Sequence, residues 1–181
     1  DFRRHAARLL GPDVDLAAPD TPFEELVTIS SAGNTVLLSE RDETDLLRKA
    51  ITMAIRSGAS DIHVEPDEEG GRIRLRIDGK LLTIDEAIPP ARLHQVISRM
   101  KVISQLDIAN SRRPQDGRFV VRADQQRVEF RIAVAPCEGG EKAVVRVIMP
   151  NPDFESLDNL ILCGPAGRFA AELFENPSGL V

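Results

Sequence analysis

The chain has 181 residues, and 42% of them are hydrophobic, which is enough for a sizeable core in one or two small domains. A formal net charge of -6 argues against a general nucleic-acid-binding protein, because such proteins usually carry a basic excess. The two cysteines lack a CxxC spacing, and no apolar run approaches the roughly 20 residues that span a bilayer. We therefore expect a cytoplasmic protein that binds no nucleic acid.

Residues 1–43 are expected to be a linker or the tail of an upstream domain, because GPDVDLAAPDTP is rich in Pro and Asp. A regular pattern follows this segment. RDETDLLRKAITMAIRSG places apolar residues on one helical face, with Asp42 or Thr44 as the cap and Gly58 as the stop. A first helix is therefore predicted between these signals.

Strands are predicted next, because SDIHVEP and RIRLRID alternate apolar and polar residues. Asp78-Gly79 is a strong two-residue hairpin signal that returns the chain as KLLTID. On the middle strand the polar face is a column of Arg72, Arg74 and Arg76. This column is either a solvated strand face or a surface for an anion or an acidic partner.

Asp61, His63 and Glu65 share one face of the first predicted strand, which raises the question of a metal site. Three ligands at this spacing on one strand span about 13 Å, too far to converge on one ion. We therefore expect no metal here, and assign these side chains to polar contacts at a surface or an interface.

A second helix is predicted from Pro89-Pro90 onward, followed by the strands GRFVVRA, QRVEFRIAVA and EKAVVRVIM. Its apolar face consists of Leu93, Val96, Ile97, Met100 and Ile103, and its sides carry Arg99 and Lys101. Residues 164–175 predict a short helix, and NPSGLV begins another strand. These elements indicate an α+β fold with the helices on one side of the sheet.

The stretch RRPQDGRF joins the second helix to the next strand and concentrates positive charge. Pro114 is predicted to fix a turn, Asp116-Gly117 to supply a corner with positive φ, and Arg118 to stand at the head of the strand. No phosphate-loop motif is present, since GPAGRFAA lacks the required glycine spacing and the Lys-Ser or Lys-Thr pair.

Arg131 and Arg146 interrupt the apolar pattern of the two strands that follow Arg118. Arginines at rigid strand ends suit bidentate contacts with phosphate. Because the chain has no phosphate cradle of its own, such a phosphate has to be held elsewhere. No nucleophile elbow or metal-binding helix is visible, so an enzyme complete within this chain is not expected.

Five blocks, in this order and spacing, resemble the hexameric ATPases of type II secretion and type IV pilus assembly (GspE/PilB-like). The blocks are GASDIHVEP, RLRIDGKL, ISRMKVISQLDIANSRRPQDGR, FRIAVAPCEGGEKAVVRVI and NPSGLV. The resemblance implies that residues 44–150 form the second N-terminal domain, a PAS-like fold with a mixed or antiparallel sheet. Residues 151–181 would then be a linker helix and the first strand of a RecA-like motor domain, cut before its phosphate loop.

In that family, arginines of this domain reach over the nucleotide held by the motor domain. Arg118 and Arg131 match the phosphate-contacting positions, and Arg113 and Arg146 are weaker transfers as nucleotide-binding residues. The resemblance implies ATP and Mg in the full-length protein, and neither in this chain alone. It also implies three kinds of partner: the motor domain, the neighbouring subunits of a homohexamer, and inner-membrane platform proteins. Assembly would take place at the inner face of the cytoplasmic membrane.

Two hypotheses stay open at this point. The first is a regulatory, arginine-finger domain of an ATP-hydrolysing motor, which would be inactive alone. The second is a free-standing PAS-like module that binds a protein, or an anionic ligand on Arg72, Arg74 and Arg76. A Gly-rich loop with Lys-Ser or Lys-Thr shortly after Val181 would favour the motor. The choice between secretion and pilus assembly, the partner proteins and the role of residues 1–43 are left open.

Overall fold

The computed structural model describes residues 26–30, 35–37, 44–68, 70–123, 126–150 and 169. The chain divides into two compact units, Asp1–Met149 and Pro150–Val181. The helices and strands given below belong to the first unit. Neither helix described there is long and apolar enough to cross a membrane. The helix predicted over residues 164–175 and the NPSGLV strand fall outside the described residues, apart from residue 169.

The described part of the first unit contains two helices and eight strands, and the strands form one sheet. In chain order the elements are β1 (Leu26–Ser30), β2 (Thr35–Leu37), α1 (Thr44–Arg56), β3 (Asp61–Asp67), β4 (Gly70–Ile77), β5 (Lys80–Asp85), α2 (Pro90–Ile103), β6 (Gln115–Ala123), β7 (Gln126–Cys137) and β8 (Gly140–Ile148). The sheet order is β2-β1-β6-β7-β8-β3-β4-β5, and every pairing is antiparallel. The predicted α+β class is confirmed.

The first helix forms where its apolar pattern predicted it. Its buried face includes the five predicted residues Leu47, Ala50, Ile51, Ala54 and Ile55. Gly58 ends the helix with a φ of 62°, and the Ala59 N–H donates to the Ala54 carbonyl over 2.9 Å. This closing turn requires a left-handed residue, which glycine adopts at little cost. The stop signal read from the sequence is therefore confirmed.

The hairpin between β4 and β5 is the tight turn that Asp78-Gly79 predicted. Both residues have positive φ, 48° at Asp78 and 77° at Gly79. Two consecutive left-handed residues match the twist of the flanking strands, which is why Asp-Gly is favoured in such turns. This turn places β5 at the edge of the sheet, beside β4.

The second helix begins at Pro90, where a missing N–H costs no helical hydrogen bond. All five residues predicted for its apolar face, from Leu93 to Ile103, are buried. Lys101 differs from the prediction, because its exposed fraction is 1%. The helical spacing predicted Lys101 at the side of the helix. In the structure, the segment that follows α2 returns over Lys101 and contacts it through Asn110.

The core lies between one face of the sheet and the two helices. Phe119 of β6 and Phe130 of β7 are paired across the strands and stack with ring centroids 5.0 Å apart. Both rings are at most 1% exposed. Burying a side chain of this size contributes about 1.5–3 kcal/mol. The helices therefore cover one face of the sheet, as predicted, and leave the other face without a helix from the described residues.

The sheet extends beyond the predicted strands at its β6 edge. β1 pairs with β6 from Leu26 opposite Ala123 to Ser30 opposite Phe119, and β2 pairs with β1. The sequence pattern did not predict a strand in this part of the chain. LVTIS and TVL contain β-branched residues, but they are too short to show a period of two. The domain boundaries proposed from the sequence stay predictions.

The turn predicted at Asp116-Gly117 is wrong. β6 already begins at Gln115, and Gly117 does not have a positive φ. A Cβ at Gly117 would lie 3.0 Å from Leu106 Cδ2 and 3.1 Å from the Ser104 carbonyl oxygen. Glycine is needed here because the segment after α2 packs closely against the strand, and not because the chain turns.

Candidate functional site

Three of the predicted arginines lie in one line across the sheet. Arg118 of β6 is directly opposite Arg131 of β7, which is directly opposite Arg146 of β8. Directly opposed residues of an antiparallel sheet share a face. The adjacent Phe119 and Phe130 point into the core, so the arginines lie on the face away from both helices. We call this face the open face, and these three residues the arginine row.

The arginine row is exposed, and the ion pairs of Arg131 and Arg146 are loose. The side chains of Arg131 and Arg146 are 69% and 71% exposed, and Arg118 is exposed as well. Arg131 Nε lies 3.3 Å from Glu129 Oε1, and Arg146 Nε lies 3.4 Å from Asp61 Oδ1. Exposed pairs of this kind contribute little to stability.

Adjacent strands place the like charges of the row close together. At an interstrand spacing of about 5 Å, two unit charges repel by about 1 kcal/mol in water and about 3 kcal/mol at an effective dielectric constant of 20. Flexible side chains reduce this repulsion by spreading apart. An anion that contacts two neighbouring guanidinium groups would remove it and gain charge-assisted hydrogen bonds. The spacing and the charge of the row are therefore suited to contact with an anion.

Arg113 is the predicted site residue that the structure does not bring into the row. It lies in Leu106–Pro114, the exposed segment between α2 and β6 that we call the arginine loop. This loop carries Arg112 and Arg113 just before β6 begins. The sequence grouped Arg113 with Arg118. In the structure, Arg113 lies in the arginine loop, whereas Arg118 lies on β6.

The arginine loop is held by a hydrogen-bond network that sequence reasoning did not identify. Gln115 Nε2 donates to the Asn110 carbonyl oxygen over 2.7 Å and to the Asp107 carbonyl oxygen over 3.0 Å. Gln115 Oε1 accepts from the Asp107 N–H over 2.8 Å. Lys101 Nζ also donates to the Asn110 carbonyl oxygen, over 3.0 Å. The glutamine directly after Pro114 was the available signal, but its partners are not visible in the sequence.

A second group of arginines lies on the open face, and its members are paired with carboxylates. Arg72, Arg74 and Arg76 of β4, which we call the arginine ladder, lie opposite β3. The contacts are Arg72 Nη1 to Asp67 Oδ2 at 2.8 Å, Arg74 Nη2 to Glu65 Oε2 at 2.6 Å and Arg76 Nε to Asp61 Oδ2 at 3.5 Å. The three side chains are 37%, 25% and 34% exposed. The ladder is therefore a charge-balanced surface.

Residues 39–181 match the family model described as "Type II/IV secretion system protein". The chain belongs to this family. The predicted recognition is confirmed, and the type II/IV secretion system family supplies the context for the remaining residues of the site.

Relatives in this family are similar over most of the chain. It is 45% identical over 139 residues to the "Protein transport protein HofB homolog" of Escherichia coli, which covers 77% of the chain and 30% of the relative. It is 41% identical over 111 residues to the "Type IV pilus assembly ATPase TfpB" of Acinetobacter baylyi, covering 61% and 19%. It is 34% identical over 171 residues to the "Type II secretion system ATPase E" of Vibrio cholerae, covering 92% and 33%. The chain thus spans a third or less of the length of these relatives.

Asp61 connects the two arginine groups of this family member. It is directly opposite Arg146 on one side and Arg76 on the other, which extends the line of the row into the ladder. Ser60 Oγ donates to Asp61 Oδ2 over 2.8 Å, and the Asp61 side chain is 11% exposed. The carboxylate is thus held in place between two guanidinium groups.

His63 lies between Asp61 and Glu65 on the same face of β3. Burial is the main reason that the pKa of His63 is lowered from its usual value of 6.5, and the Glu65 carboxylate opposes this shift. His63 Nδ1 lies 3.8 Å from Glu65 Oε1. The carboxylates of this strand contact arginines of β4, and the described residues hold no group of three or more metal-ligand side chains.

A cavity of about 320 Å³ lies away from the arginine row. It is bounded by the start of α2, the β3–β4 hairpin and the β7–β8 hairpin. Its wall includes Asp67, Glu68, Leu93, Ile97 and Glu141. No arginine of the row or of the ladder lines it, so the cavity is separate from both groups.

Proposed function

We propose that this chain is an N-terminal regulatory part of a hexameric ATPase that powers type II secretion or type IV pilus assembly. In this proposal the arginine row contacts the terminal phosphates of ATP held by a RecA-like motor domain. The observation that carries it is the register, which aligns Arg118, Arg131 and Arg146 on one exposed face, where the ion pairs of Arg131 and Arg146 are loose. Family membership, and relatives named as ATPases of both systems, support the same function.

The chemistry of the row suits this task. Guanidinium groups stay charged at any physiological pH and form paired hydrogen bonds with phosphate oxygens. Negative charge spreads over the oxygens of the transferred phosphoryl group in the transition state, and arginines placed there accelerate the reaction by about 10³- to 10⁵-fold. Arg118 and Arg131 are assigned to this role, and Arg146 to nucleotide binding beside them. Arg113 has weaker support because it lies off the row.

The wider assembly is part of the same proposal. ATP and Mg would be bound in the full-length protein by the motor domain, and this chain would supply arginines to a site that it does not hold itself. The ring would place the row of one subunit over a nucleotide, with neighbouring subunits and inner-membrane platform proteins as partners. Such a protein would be cytoplasmic and would work at the inner face of the cytoplasmic membrane.

The test is turnover of the full-length protein with Arg118→Ala or Arg131→Ala. We expect kcat to fall by about 100-fold or more, with KM changed by no more than a few fold, because the contacts favour the transition state over the ground state. Arg72→Ala on the same face is the matched control, and its turnover should stay within about twofold because this arginine is paired with Asp67. Thermal unfolding of each variant shows whether it is folded.

The outcome that contradicts the proposal is specific. A well-folded Arg118→Ala protein with unchanged turnover would make the row a solvated strand surface. The alternative, an anion-binding module that uses Arg72, Arg74 and Arg76, has less support, because each of these arginines already contacts a carboxylate of β3.

A further inference from the structure

Lys101 is buried to a degree that is unusual for lysine. Its exposed fraction is 1%, and lysine is almost never fully buried unless it is paired. Its Nζ lies 2.5 Å from Glu141 Oε1, and the Glu141 side chain is only 7% exposed. A buried pair of this kind is weak evidence for stability, because well-packed apolar residues of similar volume often do as well. Its contribution has to be sought in what else the lysine contacts.

The other contact of Lys101 is with the arginine loop. Its Nζ donates to the Asn110 carbonyl oxygen over 3.0 Å, and the same oxygen accepts from Gln115 Nε2 over 2.7 Å. One carbonyl oxygen is thus held by two side chains from outside the loop, one on α2 and one at the start of β6. An apolar residue at position 101 could fill the space but could not make this hydrogen bond.

The pair connects three elements that carry or flank the predicted site residues. Lys101 lies on α2, Asn110 lies in the arginine loop beside Arg112 and Arg113, and Glu141 lies near the start of β8, the strand that carries Arg146. The loop leads directly into β6. The Lys101 ammonium group therefore links the loop to β8, in addition to the hydrogen bonds that Gln115 makes to the loop from the start of β6.

We propose that Lys101 and Glu141 are positioning residues that set the arginine loop against the β6–β8 part of the sheet. Lys101 acts through its charge and its hydrogen bond to the loop, and Glu141 supplies the counter-charge that holds the ammonium group in place. The consequence for turnover rests on the proposed function, whereas the consequence for the order of the loop does not. A lysine that only filled the core would leave the loop unaffected once its volume was replaced.

The first experiment measures loop order directly, by hydrogen exchange of residues 106–114 in the full-length protein. The informative variant is Lys101→Met with Glu141→Met, which replaces the ion pair by apolar side chains and avoids a lone buried charge. We expect amide exchange in the loop to accelerate about tenfold or more, while exchange in β7 stays unchanged. Lys49→Met is the matched control, because Lys49 pairs with Asp85 on the surface at 3.2 Å.

Glu141→Gln keeps the shape of the side chain. It is the variant for the same exchange measurement if the double variant does not fold. It should accelerate loop exchange by a smaller factor, about threefold, because Lys101 retains its hydrogen bond but loses its counter-charge. Loop exchange equal to that of the unaltered protein, in a folded double variant or in Glu141→Gln, overturns the proposal.

The second experiment links the loop to turnover. In the double variant we expect kcat to fall about tenfold with KM little changed, because misplaced groups lose transition-state contacts first. The two failures are distinguishable. If Arg118→Ala leaves turnover unchanged, the proposed function is wrong, and loop exchange still decides the positioning role. If Arg118→Ala lowers turnover and the double variant does not, the loop has no part in placing the row.

Discussion

The two arginine groups of the open face are made of the same residue and differ in what lies opposite. In the ladder, β3 places a carboxylate within reach of each arginine, at 2.6–3.5 Å, and the side chains are 25–37% exposed. In the row, arginine lies opposite arginine, and Arg131 and Arg146 are 69% and 71% exposed. The residues on the neighbouring strand therefore decide whether a charged residue on a strand face is paired within the sheet or left exposed.

Asp61 marks the boundary between the two groups. It is the first carboxylate of β3 on this face and contacts both Arg76 and Arg146. On the ladder side of Asp61, positive and negative charges alternate across the strands and stabilise the sheet. On the row side, three arginines are adjacent. Their mutual repulsion destabilises the folded protein, and a bound anion would relieve that repulsion. The difference is therefore electrostatic, and it can be tested by changing single charges.

The largest effect is expected from placing a carboxylate within the arginine row, so that its arginines face a negative charge as those of the ladder do. Arg131→Glu would place a carboxylate between Arg118 and Arg146 and remove the repulsion between them. We expect turnover of the full-length protein to fall by about 1,000-fold, because the substitution adds a negative charge where the proposed function places the phosphates. Stability to urea should be equal or higher. Lower stability together with lost turnover would show that Arg131 supports the sheet rather than the reaction.

A smaller effect is expected from removing the shared carboxylate. Asp61→Asn leaves Arg76 and Arg146 without a counter-charge, and we expect the free energy of unfolding to fall by about 1 kcal/mol, since both partners are partly exposed. Glu129→Gln is the matched control. It should cost less than about 0.5 kcal/mol, because its partner Arg131 is 69% exposed. If both variants lose the same free energy of unfolding in chemical denaturation, Asp61 contributes no more than an ordinary surface ion pair.

The smallest effect concerns pH. The pKa of His63 is lowered in the folded protein, mainly by burial, so the unfolded chain binds its proton first as pH falls. Stability should therefore decrease as pH falls below the unfolded value of about 6.5 and through the folded pKa. His63→Gln should reduce this decrease in melting temperatures measured between about pH 7 and pH 5. An unchanged pH profile would assign the decrease to other groups.

Helical spacing predicted the buried residues of α2 correctly, but it did not predict the surroundings of Lys101 or the role of Gly117. Leu93, Val96 and Ile97 were predicted for the core of α2 and are buried, because helical spacing alone selects that face. Lys101 was predicted at the side of the same helix, and only the loop that returns over it and the Glu141 carboxylate explain its burial. Gly117 was interpreted as a turn residue for its flexibility, whereas close packing requires its lack of a side chain.

The sequence by itself determined the two described helices, six of the eight described strands and the family. Alternation with a period of two, one apolar helical face and the Asp78-Gly79 turn are properties of short segments, and the order of five sequence blocks identified the relatives. Only the tertiary structure decided which arginines share a line and which face carboxylates. Asp61 and Arg146 are 85 residues apart, and their contact depends on a strand register set by the whole sheet. Long-range pairing of this kind leaves no trace in the local pattern of either strand, which is why the arginine row appears only in the fold.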